Sequence, residues 1–242
     1  MKFKITVGLF ITLSVVLNAQ SELKQFNTIM GKEQTKAMDA AVASFQTFLK
    51  LNYPDSTNLR SKTAGFLNDV TYMNPQIVQS WDFPPNTLDV YNQWESSGLR
   101  KEIWLWTNED YEPQHFERPN TAMIGAVELK LLEEIDDDDI VPISGSNTDR
   151  PMQKIEKDSI LSFNTWGKYL FALNQSCSSD ASITEYTDVK ALTSDISTAL
   201  VASAFPYFDK KLDHPIIQRM IVAEFYYLFL ELHLKYSAKT TR

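Results

Sequence analysis

An all-α fold is what this 242-residue sequence predicts, and three observations carry the prediction. Glycine is scarce, seven residues in all, and the prolines fall between apolar segments rather than inside them, which is punctuation for helices. The apolar residues recur at i, i+3, i+4 and i+7, the spacing that puts them on one helical face. The last long segment, from Ile216 to Leu234, is apolar on nearly every side, as expected of a helix in the middle of a bundle. The expected architecture is therefore an irregular bundle of about six or seven helices with a Trp-rich irregular segment near 74–118.

The chain opens with Lys2 and Lys4, an apolar run from Ile5 to Leu17, and the small residue Ala19. Charged start, apolar middle and small-residue end make residues 1–20 read as a secretory signal peptide, cut near Ala19 or Gln20. The run falls short of the roughly 20 residues that span a bilayer, so no membrane span is expected after cleavage. Residues 21–242 read as one all-α domain, with a weak division at the loop 141–151. The expected location is outside the cytoplasm, periplasmic or secreted.

The first helical stripe is Met38, Ala41, Val42, Phe45, Phe48 and Leu49, closed by Asn52 and Pro54. Asp55, Ser56 or Thr57 can cap the next, which carries Leu59, Thr63, Phe66, Leu67, Val70 and Met73 up to Pro75. After a proline-bearing stretch, Asn86 or Thr87 opens a short helix through Leu88, Tyr91 and Trp94, with Gly98 as a left-handed terminator. Residues 99–106 are apolar without a period, so a short strand and a buried helical turn both fit. Pro119 suits the first turn of a helix bearing Ile124, Val127, Leu131 and Ile135. Asp158 can cap a helix bearing Ile160, Leu161, Phe163, Trp166, Leu170 and Leu173. A further stripe, Val189, Leu192, Ile196, Leu200 and Ser203, runs to Pro206, and the last helix starts at Asp213-His214-Pro215.

Charge and composition exclude several classes. Loss of residues 1–20 removes two lysines and no acid, taking the formal net charge from −8 to −10. Nucleic acid and anionic membrane surfaces are poor partners for such a chain. Cys177 is the lone cysteine, so no intramolecular disulfide forms, and its polar surroundings read as a loop thiol. No nucleophile elbow, phosphate-cradling glycine loop or dinucleotide fingerprint occurs. No cofactor is expected.

The Trp-rich stretch is the strongest local oddity. Trp81, Trp94, Trp104, Trp106 and Tyr111 lie among acids and amides, a mixture that suits a glycan or small-molecule groove, because indole faces stack on sugar rings. Packing of the tryptophans onto the bundle is the heavier reading. Glu112 and His115 have the spacing of a di-iron motif, but it occurs once, and Asp136 to Asp139 lack the alternation and glycine of a calcium loop; no metal site is expected. Glu224 sits on the most apolar helix and needs a partner there or a raised pKa.

Three function readings follow. The leading one is an exported helical protein that binds a small molecule, glycan or protein partner of the cell envelope, with Trp81, Trp94, Trp104, Trp106 and Tyr111 as the contact surface. The second is an envelope hydrolase acting on a glycan, with Glu224 as acid and Glu102 as its paired carboxylate. That pair must lie about 5–10 Å apart across an open cleft, and a buried Glu224 bonded to a basic side chain removes the reading. The third is a structural or assembly protein, marked by an exposed apolar patch of more than a few hundred Å².

Overall fold

The predicted class is the observed one: in a computed structural model the described residues are mostly helical, with one two-stranded sheet among them. The structure describes residues 19–72, 80–107, 109–112, 161–193 and 196–240. Helix α1 (19–30) and α2 (Lys32–Asn52) are separated by Gly31, whose φ of 87° lets the chain turn without strain. Next come α3 (Leu59–Tyr72) and α4 (Thr87–Ser96), the latter ended by Gly98 at φ 73° as the sequence predicts.

The aperiodic stretch 99–106 resolves into strand β1 (Trp104–Trp106), paired antiparallel with β2 (Leu161–Phe163) in the register Trp104 with Phe163 and Trp106 with Leu161. This corrects the helix expected from Asp158 onward. Leu161 to Phe163 extend to pair with β1, and helix α5 (Lys168–Ser176) begins only after Gly167. The glycine is required by space. A Cβ there would lie 2.0 Å from the Glu102 carbonyl oxygen.

The stripe expected to run unbroken from Val189 to Ser203 belongs to two helices. Helix α6 (Ala181–Leu192) ends at Thr193, whose backbone is extended, and α7 (Thr198–Ala204) starts afresh after Ser197. A 3-10 turn (Phe205–Tyr207) follows, and then α8 (Pro215–Ile221), a π-helical turn (Val222–Tyr226) and α9 (Tyr227–Thr240). The cap of α8 is His214 rather than Asp213: its Nδ1 accepts from the Ile216 N–H at 3.3 Å. The helix expected at Pro119, the Asp136–Asp139 run, the 141–151 loop and His115 lie outside the described residues.

The α8–π–α9 rod lies at the centre, as its all-round apolar pattern requires; every residue from Ile216 to Tyr227 is buried. Phe45, Phe48, Phe66, Trp81, Tyr226 and Phe229 form one aromatic cluster against it, with ring centroids mostly 5–6 Å apart. Helix α1 is part of the body too. Phe26 is fully buried, and Glu22 pairs with Lys210 at 3.3 Å. Among the described residues no helix is long and apolar enough to cross a membrane.

Candidate functional site

Helix α6 organises the feature with the most chemical content. Asp180 caps it by accepting from the Ile183 N–H at 3.0 Å, and its other oxygen takes Lys210. That anchors the start of the helix. One face then points inward and buries Ile183, Tyr186, Thr187 and Lys190, a more polar set than an ordinary core face.

Lys190 is 2% exposed, and its ammonium lies 2.8 Å from Glu224 Oε2 on the π turn. The same ammonium sits 4.2 Å from the centroid of Phe163 and 5.8 Å from that of Trp104. Tyr186 donates its hydroxyl to Glu224 Oε1, and Trp104 donates its indole N–H to the Ala223 carbonyl at 2.8 Å. The π turn matters here, because its irregular ladder sets Glu224 and the Ala223 carbonyl toward α6 and β1 together. Burial, then the charge of Glu224, pushes the Tyr186 pKa well above its ordinary value. Tyr186 is thus a fixed donor. Both Glu224 oxygens are occupied and enclosed.

The other face of α6 borders an open groove of about 320 Å³ between α6, α7 and the 3-10 turn. Val189, Ile196, Leu200 and Val201 form its apolar sides, and Tyr186, Tyr207 and Phe208 bring three rings to it. Leu200 is 63% exposed and Tyr207 87%, so the rim is offered to solvent. The Asp209 N–H donates to the Ser182 hydroxyl at 3.0 Å and ties the far wall to α6. Phe205 stacks on Phe208 at 4.9 Å and meets Phe225 of the π turn at 5.6 Å, so the wall stands on the central rod. Groove and ion pair meet in one residue. The Tyr186 ring lines the groove while its hydroxyl holds Glu224.

The residues singled out from sequence fall elsewhere. Trp81 is buried on Phe48, Phe66 and Phe229, Trp94 stacks on Tyr227 at 5.1 Å, and Trp104 packs on Phe163 at 5.3 Å. All three carry packing in this structure, with little face left for a ligand. Trp106 is partly exposed, with Lys235 4.6 Å and Arg100 6.0 Å from its ring centroid. Tyr111 donates to Glu102 at 2.8 Å.

Glu102 is held as a brace. It accepts from Tyr111, from the Lys168 N–H at the start of α5 at 2.8 Å, and from Gln34 at 3.5 Å. Neighbouring Arg100 spans Glu95, Glu109 and the Trp104 carbonyl, and its hydrogen bond to Glu109 brings that carboxyl down to about 2. Cys177 lies in the bend that ends α5, as the sequence suggests, but is buried there, and burial pushes its thiol up to about 12. Among the described residues no group of three or more His, Cys, Asp or Glu side chains is arranged to hold a metal ion.

Glu185, Tyr186, Leu200, Tyr207 and Phe208 were not expected as site residues. The signal that could have found them is the stripe Val189, Leu192, Ile196, Leu200 crossing a Thr-Ser-Asp break into Phe205-Pro-Tyr-Phe208. An apolar stripe interrupted by turn residues, with aromatics just past it, outlines two helices with a gap between them. No family model, no curated protein and no solved structure matches this chain.

Proposed function

We propose that this chain is an exported binding protein and that the groove between α6 and α7 takes a small apolar ligand without turning it over. The carrying observation is the groove itself: exposed apolar side chains and three aromatic rings, on walls held by the buried Tyr186–Glu224 bond and the Phe205–Phe208 stack. Its volume of about 320 Å³ lies at the lower end of the range for small-molecule sites, about 300–1,000 Å³. Export rests on the charged, apolar and small-residue layout of residues 1–20. A cut near Ala19 or Gln20 keeps Glu22 and Phe26, the first side chains that anchor α1. Against the glycan-hydrolase reading stands the burial of Glu224 and its bond to Lys190.

Titration with the neutral fluorophore N-phenyl-1-naphthylamine tests the proposal. The processed protein binds it with a defined stoichiometry, and Leu200→Asp weakens binding at least tenfold. Leu88→Asp, at a residue 56% exposed on α4, leaves binding unchanged. Equal binding by the two variants would refute the groove as the site. A dimer that buries the groove and excludes the fluorophore would replace the reading with assembly.

A further inference from the structure

Given that reading, we infer that the ligand is an organic cation, an apolar body ending in an ammonium group, held by Glu185 and the rings of Tyr207 and Phe208. Among the described residues that line the groove Glu185 is the only charged one, and it is exposed on α6 one residue before Tyr186. Among the described residues it has no ion-pair partner. Among the described residues no Lys, Arg or His lines the groove. The nearest buried cation on the same helix, Lys190, is neutralised by Glu224 and faces Phe163 and Trp104 instead.

The aromatic lining completes the argument. A ring face carries partial negative charge, so rings beside a carboxylate select an ammonium over a neutral or anionic end. Tyr207 is almost wholly exposed, and its ring is available to cover a bound cation. Phe208 is held against Phe205 and Tyr186, which fixes its place in the wall. Tyr186 offers its ring rather than its hydroxyl, which Glu224 already takes. The formal net charge of −8 favours the approach of the same ligands.

The test compares three probes with one apolar tail: octyltrimethylammonium, octanol and octanoate, each below its micellar concentration, by displacement of N-phenyl-1-naphthylamine. The expected order is ammonium, then octanol, then octanoate, with the ammonium roughly tenfold tighter than octanol, as an exposed cation–π contact and one nearby carboxylate allow. Glu185→Gln removes most of the preference for the ammonium and leaves octanol unchanged. Tyr207→Leu reduces the preference severalfold, so the result does not hang on one variant. Equal affinity for octanol and the ammonium, both lost in Leu200→Asp, would overturn the cation and leave the apolar groove standing. Failure of all three probes and of the fluorophore would overturn both.

Discussion

Replacing Lys190 by Met tests the buried ion pair most directly. Methionine keeps most of the lysine stem and its packing, but removes the charge that lies 2.8 Å from Glu224. Both side chains are at most 3% exposed, so water cannot take the place of the lost partner. Breaking a pair in that setting costs about 3–5 kcal/mol, because the surviving charge is left buried. Tyr186 still donates to the other Glu224 oxygen, which places Lys190→Met at the lower end, about 3 kcal/mol. For a chain of this length that is a fall in Tm of about 6–12 °C. Glu224→Gln alone leaves Lys190 charged against Phe163 and Trp104 and costs a similar amount. The double variant leaves no buried charge, and its cost should be about 1–2 kcal/mol, well below the sum of the singles. Urea unfolding followed by tryptophan emission suits the measurement, since Trp104 lies beside the pair. A double variant destabilised by the sum of the singles, with coupling under about 0.5 kcal/mol, would refute the reasoning.

Two further predictions concern the braces around β1. Gly167→Ala puts a methyl 2.0 Å from the Glu102 backbone oxygen, which cannot swing aside, so its cost should reach or exceed the about 1–3 kcal/mol of ordinary overpacking. Gly65→Ala meets only the Tyr53 ring, at 3.0 Å, and in the same thermal melts it should be the milder change. Arg100 holds Glu109 down to about 2 from an unfolded value of 4.5, so its stabilisation is full above about pH 4.5 and is lost as pH falls toward 2. The penalty of Arg100→Met should therefore be largest at neutral pH and shrink through that window; a constant penalty from pH 7 to pH 2 in urea titrations would contradict the assignment.

The helical class was legible because it rests on period and punctuation, which are local. Phe45, Phe48, Phe66 and the apolar residues from Ile216 to Phe225 were readable as core for that reason, and the structure buries them. The strand β2 was not legible. Leu161 to Phe163 carry no alternation long enough to separate strand from helix, and their extended form comes from pairing with a segment some 57 residues away. The α6 stripe misled for a related reason. Periodicity shows which residues share a face, but not whether the core or solvent meets it, and Val189, Leu192 and Leu200 are all substantially exposed. The buried face of the same helix carries Lys190 and Thr187, which no hydrophobic pattern marks. Glu224 was different. A carboxylate amid Ile, Val, Phe and Tyr must find a partner, and that requirement could be read from the sequence while the identity of the partner could not.

Why the chain spends a lysine and a glutamate inside its core follows from where they stand. A buried ion pair is weak support for stability, since a well-packed apolar pair does as well or better. What the pair does fix is orientation. Glu224 takes the Tyr186 hydroxyl on one oxygen and the Lys190 ammonium on the other, and both donors come from α6, one turn apart. Leucine at 190 and 224 would fill the space but would remove these two directional bonds between α6 and the central rod. Rolling of α6 by even a fraction of a turn would carry the Tyr186 ring out of the groove and Glu185 away from its rim. The π turn serves the same end from the other side, because a regular helix would set Glu224 at a different angle to α6. Asp180 at the start of α6 and Glu224 at its middle thus hold the helix at two points along its length. The polar residues of this core hold α6 where its other face meets the groove, and Trp104 of the Trp-rich segment joins Phe163 of β2 in supplying the rings beside Lys190.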